Sequence, residues 1–340
     1  MLQDFTQAVE LLQDGKLVAF PTETVYGLGA DAANPQAVAR IFAAKGRPAD
    51  HPLIVHLPGA GYLERWARDI PAIAWELAEA FWPGPLTLIL KRAPEVPYAV
   101  TGGQETVGLR MPAHPLALGL LRAFALAGGG RGGRDGLCGI AAPSANRFGR
   151  ISPTEAAHVH QELGDAVALV LDGGPCQVGI ESSIIDLSRG GDQPPRLLRP
   201  GHITPEQIYA VTGVRPEWPE TTQGGRAPRV SGSLEAHYAP LTPMRLVATP
   251  QLPAVIAELQ KSGRRCALLA HTRQALLALP HEQHLLPDDA EAYAHGLYAA
   301  LRELDRSGNE VIVVEDVPAD PAWAAVSDRL RRAACGSGEV

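Results

Sequence analysis

Leu17-Val-Ala-Phe-Pro-Thr-Glu-Thr-Val-Tyr-Gly-Leu-Gly29 reads as a short buried strand, residues 17–20, that runs out into a turn at Pro21. The turn strands Thr22, Glu23 and Thr24 in an apolar setting, and alternation along the strand end puts the two threonine hydroxyls on one face. Asn34-Pro35 then opens a helix, because Asn is a good N-cap and Pro suits the first helical position. Val38, Ile41 and Phe42 give that helix an apolar face, and it stops near Lys45-Gly46 with Pro48 preventing continuation.

The same grammar recurs downstream. Residues 53–57, 86–90, 107–109, 166–171, 184–187 and 196–198 are strand candidates bounded by Gly or Pro, with helices expected at 73–81 and 116–126. Ser152-Pro-Thr-Glu155 and Thr204-Pro-Glu-Gln207 both fit the capping-box pattern with Pro at the first helical position, and the second opens the last helix of the first domain. The expected fold is α/β: a twisted, mixed-sheet domain over residues 1–214, then a Pro-, Gly-, Thr- and Ser-rich linker over 215–243. Strands at 245–247, 267–270 and 311–314, with helices at 253–262 and 321–334, make residues 244–340 a smaller Rossmann-like α/β domain. It carries no phosphate-loop pattern.

Composition narrows the classes. At 340 residues the chain is comfortable for two domains, and 46% hydrophobic with 20% charged residues is ordinary for a soluble globular protein. A net charge of -7 argues against a surface that coats nucleic acid, although a local basic cleft stays compatible with it. The N-terminus carries Asp4 and Glu10 rather than a basic, then apolar, signal, and no apolar run is long enough to cross a bilayer, so a cytoplasmic protein is expected. Cys138, Cys176, Cys266 and Cys335 lie far apart and suggest neither a disulfide framework nor a metal site. The Gly-rich run from Ala127 to Gly136 lacks the Lys-Ser/Thr of a P-loop and reads as a flexible surface insertion.

Polar residues cluster where strands run into turns, the usual address of binding and catalytic groups. Lys45 and Arg47 flank a glycine after a helix. Two cations converging without carboxylates nearby suit a polyphosphate, whereas a solvated helix C-terminus would also favour basic residues. Ser144 and Asn146 are either site residues or ordinary turn residues, and Ser152 is expected as an N-cap, itself an anion-binding position. Arg110 ends its strand either as a carboxylate partner in a cleft or as a structural ion pair. His51 and His56 carry no metal-ligand spacing, and Glu181 is placed to orient a neighbour.

The ordered set is more specific than its members. The segment Pro21 to Gly29, Lys45-x-Arg-Pro48, Pro52-Leu-Ile-Val-His56, Trp82-Pro-Gly-Pro-Leu-Thr87, Ala142-Pro-Ser-Ala-Asn146 and Leu198-Arg-Pro-Gly201 closely resemble the YrdC-type L-threonylcarbamoyladenylate synthases. His237-Tyr-Ala-Pro240 and Ser327-Asp-Arg-Leu-Arg-Arg-Ala333 resemble the linker and tail of the long, two-domain form. The resemblance implies a twisted mixed sheet with a concave, positively charged face. It implies an enzyme that makes threonylcarbamoyl-AMP and pyrophosphate from L-threonine, bicarbonate (or CO2) and ATP, with Mg2+ accompanying the nucleotide. The product would serve adenosine 37 of tRNA through a separate threonylcarbamoyl transferase complex, with tRNA contact a further expectation and no membrane partner. By motif, threonine would be held by Thr24, His56, Arg110, the backbone around Ala142, and Ser182. ATP would be held by Lys45, Arg47, His51, Thr106, Ser144, Asn146, Ser152 and Arg199, with Lys45 and Arg47 also catalytic and no metal ligand in the protein. Three departures stand out: Glu235 occupies a linker position usually held by tyrosine, Ser183 stands for a common threonine, and the Gly-rich insertion before Cys138 is unusual. The linker is therefore expected to close over the site without an aromatic nucleotide contact. An RNA-binding protein using the concave face is the alternative class, and the negative net charge speaks against it.

Overall fold

A computed structural model describes residues 5–130, 136–218, 227–273 and 282–338. The centre of the Gly-rich run, 131–135, and residues 219–226 of the expected linker lie outside the described residues. The chain divides into two compact units. The first comprises Met1–Arg147, Pro153–Cys176 and Glu181–Ser233; the second comprises Phe148–Ser152, Gln177–Ile180 and Leu234–Val340. The division thus falls inside the expected linker, and two short earlier segments group with the second unit.

In the first unit the strands are β1 Val18–Phe20, β2 Gly27–Asp31, β3 Ile54–His56, β4 Ala67–Arg68, β5 Leu86–Arg92, β6 Thr106–Arg110, β7 Ile140–Ala141, β8 Leu169–Val170, β9 Ser183–Asp186 and β10 Arg196–Arg199. Its helices are α1 Thr6–Gln13, α2 Pro35–Lys45, α3 Leu63–Trp66, α4 Ala72–Phe81, α5 Tyr98–Thr101, α6 Pro115–Leu126, α7 Ala156–Leu163 and α8 Pro205–Thr212. Among the described residues the ten strands form one mixed sheet in the order β10-β9-β5-β6-β3-β7-β2-β1-β8, with β4 beside β5. Pairs β3/β6, β5/β9 and β1/β8 are parallel. Leu28, Val55, Leu88 and Leu109 pack with Val38 and Ile41 of α2 and Leu77 of α4. Val18, Phe20 and Ile140 pack with Leu12 of α1 and Leu120 and Phe124 of α6. Helices therefore cover the sheet through two separate apolar clusters, and the strand ends are left to polar residues.

Helix α2 forms as its sequence dictates. The Asn34 side chain accepts from the Gln36 and Ala37 N–H groups, Pro35 takes the first position, and Gly46 ends the helix in the left-handed conformation at φ 62°. Thr204 and Gln207 form a reciprocal capping box at α8. Ser152, by contrast, is no helix cap: α7 starts at Ala156, with Glu155 before it. The Pro153 carbonyl accepts from Tyr26 N (2.9 Å) and the Thr154 carbonyl from Cys176 N (2.9 Å), so tertiary bonds claim the backbone that a first turn needed. The strand expected over 166–171 shrinks to β8 because residues Gly164–Ala166 form a 3₁₀ turn.

The second unit holds β11 Met244–Val247, α9 Leu252–Lys261, β12 Cys266–Ala270, β13 Glu282–Leu285, α10 Ala290–Arg306, β14 Val311–Glu315 and α11 Ala324–Gly336. Its described strands make an all-parallel sheet in the order β11-β14-β12-β13. Glu315, ending β14, is fully buried and accepts from the N–H groups of His271 and Thr272 and from the hydroxyls of Thr249 and Thr272. It ties three strand ends together; these bonds hold its carboxyl below the usual range against the opposing effect of burial. No helix among the described residues is long and apolar enough to cross a membrane.

Candidate functional site

The short parallel strands β3 and β6 organise the polar residues of the first unit. A three-residue strand is only about 10 Å long, so groups at its two ends remain neighbours. His51 precedes β3 and His56 ends it; Thr106 begins β6 and Arg110 ends it, with His56 and Arg110 in register.

Arg110 is anchored on the first turn. Its Nη2 donates to Glu23 Oε1 at 2.5 Å, its Nη1 to Thr24 Oγ1 at 3.0 Å and its Nε to the Gly84 carbonyl at 3.3 Å. Glu23 is fixed in turn by the Ala113 N–H at 3.0 Å. Arg110 is thus both an ion pair and a strand-end cation: a guanidinium has five N–H groups, and two remain without a partner among the described residues. Thr22 and Thr24 do share one face, with hydroxyls 2.9 Å apart, but through a turn rather than strand alternation. The strand ends at Phe20, and Thr22 Oγ1 accepts from Thr24 N and Val25 N.

His56 is buried against Phe20 in an edge-to-face contact, with ring centroids 6.2 Å apart. Its Nδ1 is buried without a hydrogen-bond partner among the described residues. Burial first, and then the Arg110 charge, push the imidazole down to about 3, so it is neutral over the physiological range. A neutral ring with an unmet polar atom beside a guanidinium is poised for a polar ligand.

The second side of the site gathers around Lys45. From the last turn of α2, its Nζ donates to the carbonyls of Ser144 (2.6 Å) and Asn146 (2.5 Å). That segment is held against the first turn by Leu28 N to Pro143 O and Ala145 N to Tyr26 O, while Ala142 N donates to Ile54 O. Arg47 is buried and its Nη2 donates to the Pro52 carbonyl at 2.8 Å. Burial and then the Arg47 charge drive the Lys45 ammonium well below the usual lysine range. Glu162 and Glu181 act in the opposite direction, so the cations are not as isolated from carboxylates as the local sequence suggests. His51 is likewise shifted down, by burial and then by Arg47.

Ser182 lies just ahead of β9. Its hydroxyl is 2.8 Å from Thr87 Oγ1, and Arg199 reaches it from β10. A narrow pocket beside Thr106 is floored by Ile54, Ile89 and Ile184 and capped by Val230. Ser152 groups with the second unit, buried, with its carbonyl accepting from Arg302 Nε at 3.5 Å. Glu235 is exposed. Cys176 is buried and its thiol is pushed up to about 12, chiefly by burial, which fits a packing role. Sequence reasoning gave Glu23 and Thr87 no role of their own. Both sit inside quoted motifs, and only their cross-chain partners reveal what they hold.

Comparison with known proteins adds to this geometry. The family described as "Telomere recombination" (Sua5, yciO, yrdC) matches residues 10–201, and that described as "Threonylcarbamoyl-AMP synthase, C-terminal domain" matches 203–335. The chain is similar to the threonylcarbamoyl-AMP synthase of Pyrococcus abyssi, 40% identical over 336 residues (96% of this chain, 92% of the relative). It is 41% identical over 335 residues to that of Bacillus subtilis (97% and 92%). The crystal structure of P. abyssi Sua5 complexed with L-threonine superposes with a TM-score of 0.86 at 38% identity, covering 97% of this chain and 94% of that one.

Proposed function

Because this chain belongs to the threonylcarbamoyl-AMP synthase family in its two-domain form, we propose that it joins L-threonine, bicarbonate (or CO2) and ATP into threonylcarbamoyl-AMP, releasing pyrophosphate. The observation that carries the reading is the pairing at the ends of β3 and β6: an anchored Arg110 with two N–H groups to spare beside a neutral His56 with an unmet Nδ1. That combination suits an amino acid, with the guanidinium on the carboxylate and the imidazole, Thr24, Ser182 and the backbone at Ala142 on the amine and hydroxyl. Lys45, Arg47, His51, Thr106, Ser144, Asn146 and Arg199 serve the nucleotide, with Lys45, Arg47 and Arg199 offsetting charge on the phosphates.

The reaction then needs positioning more than covalent catalysis. The threonine nitrogen takes up CO2 as a carbamate, a carbamate oxygen bonds to the α-phosphorus in line, and the bond to pyrophosphate breaks with both electrons leaving on its oxygen. Among the described residues no group of three or more His, Cys, Asp or Glu side chains could hold a metal ion. Mg2+ would accompany the nucleotide as part of the substrate, and no step is routed through it. The product would pass to a separate transferase acting on tRNA adenosine 37. Pyrophosphate release dependent on threonine and bicarbonate together is the expected result. Release from ATP that ignores threonine would remove the substrate assignment.

A further inference from the structure

We propose that Tyr26 is a positioning residue for the amino-acid pocket: its phenol latches the turn at residues 172–174 onto the segments that anchor Arg110. The proposal rests on the reading of Arg110 as the clamp for the threonine carboxylate and extends it to what holds that clamp in place.

Tyr26 is fully buried, and its backbone is fixed on both sides. Its N–H donates to the Pro153 carbonyl at 2.9 Å, and its carbonyl accepts from Ala145 N at 2.8 Å. The phenol therefore has a set position before it meets the turn. Its oxygen accepts from Gly173 N at 3.1 Å, and its proton goes to the Gly174 carbonyl at 2.9 Å, with Asp172 Oδ1 3.3 Å away. Asp172 Oδ1 accepts in turn from Gly174 N at 2.9 Å, and Gly174 takes the left-handed conformation at φ 76°. Asp172 and Gly173 are exposed, so water is the alternative partner for this turn. Burial raises the phenol above its ordinary range and keeps it in the protonated, donating form.

The latched turn meets the Arg110 anchor from two directions. Gly173 has no room for a side chain: a Cβ there would lie 2.6 Å from Pro21 Cγ, 2.8 Å from His114 Cε1 and 3.0 Å from Leu116 Cδ1. His114 Nδ1 accepts from Leu116 N at 3.2 Å, which leaves its Nε2–H for the Gly173 carbonyl. Ala113, the neighbour of His114, donates its N–H to Glu23, and Glu23 accepts from Arg110. Beyond the turn, the Cys176 thiol meets the Thr22 N–H beside the charges of Glu23 and Arg110. A closed circuit thus runs from Tyr26 through Gly173, His114 and Ala113 to Glu23, and so back to the segment that precedes Tyr26 in the chain. Releasing the phenol opens this circuit at its exposed end. The guanidinium then keeps its charge but loses its fixed bearing.

The test uses the full-length protein and Tyr26→Phe, which keeps the ring and removes only the hydroxyl. Threonine and ATP are each titrated alone by calorimetry, and steady-state rates are measured with either substrate varied. The variant is expected to bind threonine about tenfold more weakly, with its KM for threonine raised to match, while kcat at saturating threonine and the affinity for ATP each change by less than about twofold. Amide exchange at residues 173–174 should be faster than in wild type. A loss shared equally by threonine and ATP would mean that the hydroxyl only supports the fold, and it overturns the proposal. Gly173→Ala provides an independent arm should Tyr26→Phe fold poorly. It keeps the phenol but lifts the turn off Pro21 and His114, so the same threonine-selective loss is expected, and unchanged threonine affinity counts against the latch. Wild type that binds no threonine sinks the underlying reading, whereas wild type and Tyr26→Phe that bind it equally sink only this inference.

Discussion

His56 illustrates how one burial decision fixes both chemistry and stability. An imidazole released by unfolding protonates near 6.5, while in the fold it resists until about 3. Between these values the unfolded chain binds the extra proton, so acidification removes stability at up to about 1.4 kcal/mol per pH unit for one such group. Replacing His56 by Gln deletes the titration, and denaturation curves from pH 7 to pH 4 should show a shallower loss of stability in the variant. Equal slopes would mean that the ring is not held neutral. Lys45, His56, Arg110 and Ser182 were legible from the sequence because each is a polar residue stranded at the edge of an apolar run. Their partners were not: Glu23 meets Arg110 across 87 positions and Thr87 meets Ser182 across 95, and no local pattern encodes such a closure.

Elements were readable where their signals are local. Asn34 and Thr204 cap helices as their sequences say, whereas Ser152 carries the same pattern and fails because its neighbours' carbonyls are bonded elsewhere. Helix α10 also had a usable signal, with Asp289 as N-cap and buried Tyr293, Leu297, Ala300, Leu301 and Leu304 at helical spacing. The intervening alanines and charged residues dilute it. The turn after β10 shows why its motif ends in glycine. A Cβ on Gly201 would lie 2.4 Å from Ser183 N, 2.7 Å from the Ser182 carbonyl carbon and 2.8 Å from Glu181 O, all of them backbone atoms. Gly201→Ala must therefore push the segment bearing Ser182 away from β10. We expect a loss of about 1–3 kcal/mol in chemical denaturation together with weaker threonine binding. A variant with wild-type stability and affinity would show that this close approach is not needed.

At the scale of the molecule, composition marks the Pro- and Gly-rich connection but not the two segments, Phe148–Ser152 and Gln177–Ile180, that group with the second unit. Nothing in their sequence announces the excursion; only their partners do. Gly149 O accepts from Ala239 N, Ile151 O from Arg302, and Gln177 O faces His295 Nδ1. A fragment ending at Ser233 lacks all three partners, and exchange measured by mass spectrometry should be faster at residues 148–152 and 177–180 in the fragment than in the full chain. Equal rates would show that these segments are ordered without the C-terminal portion. The same threading sets a timetable for biosynthesis. Both segments leave the ribosome well before residues 234–338, a delay on the order of ten seconds at ordinary elongation rates. Until then their carbonyls have only water or transient helpers for company, so nascent copies of this protein must wait for their own tail before the second unit can close.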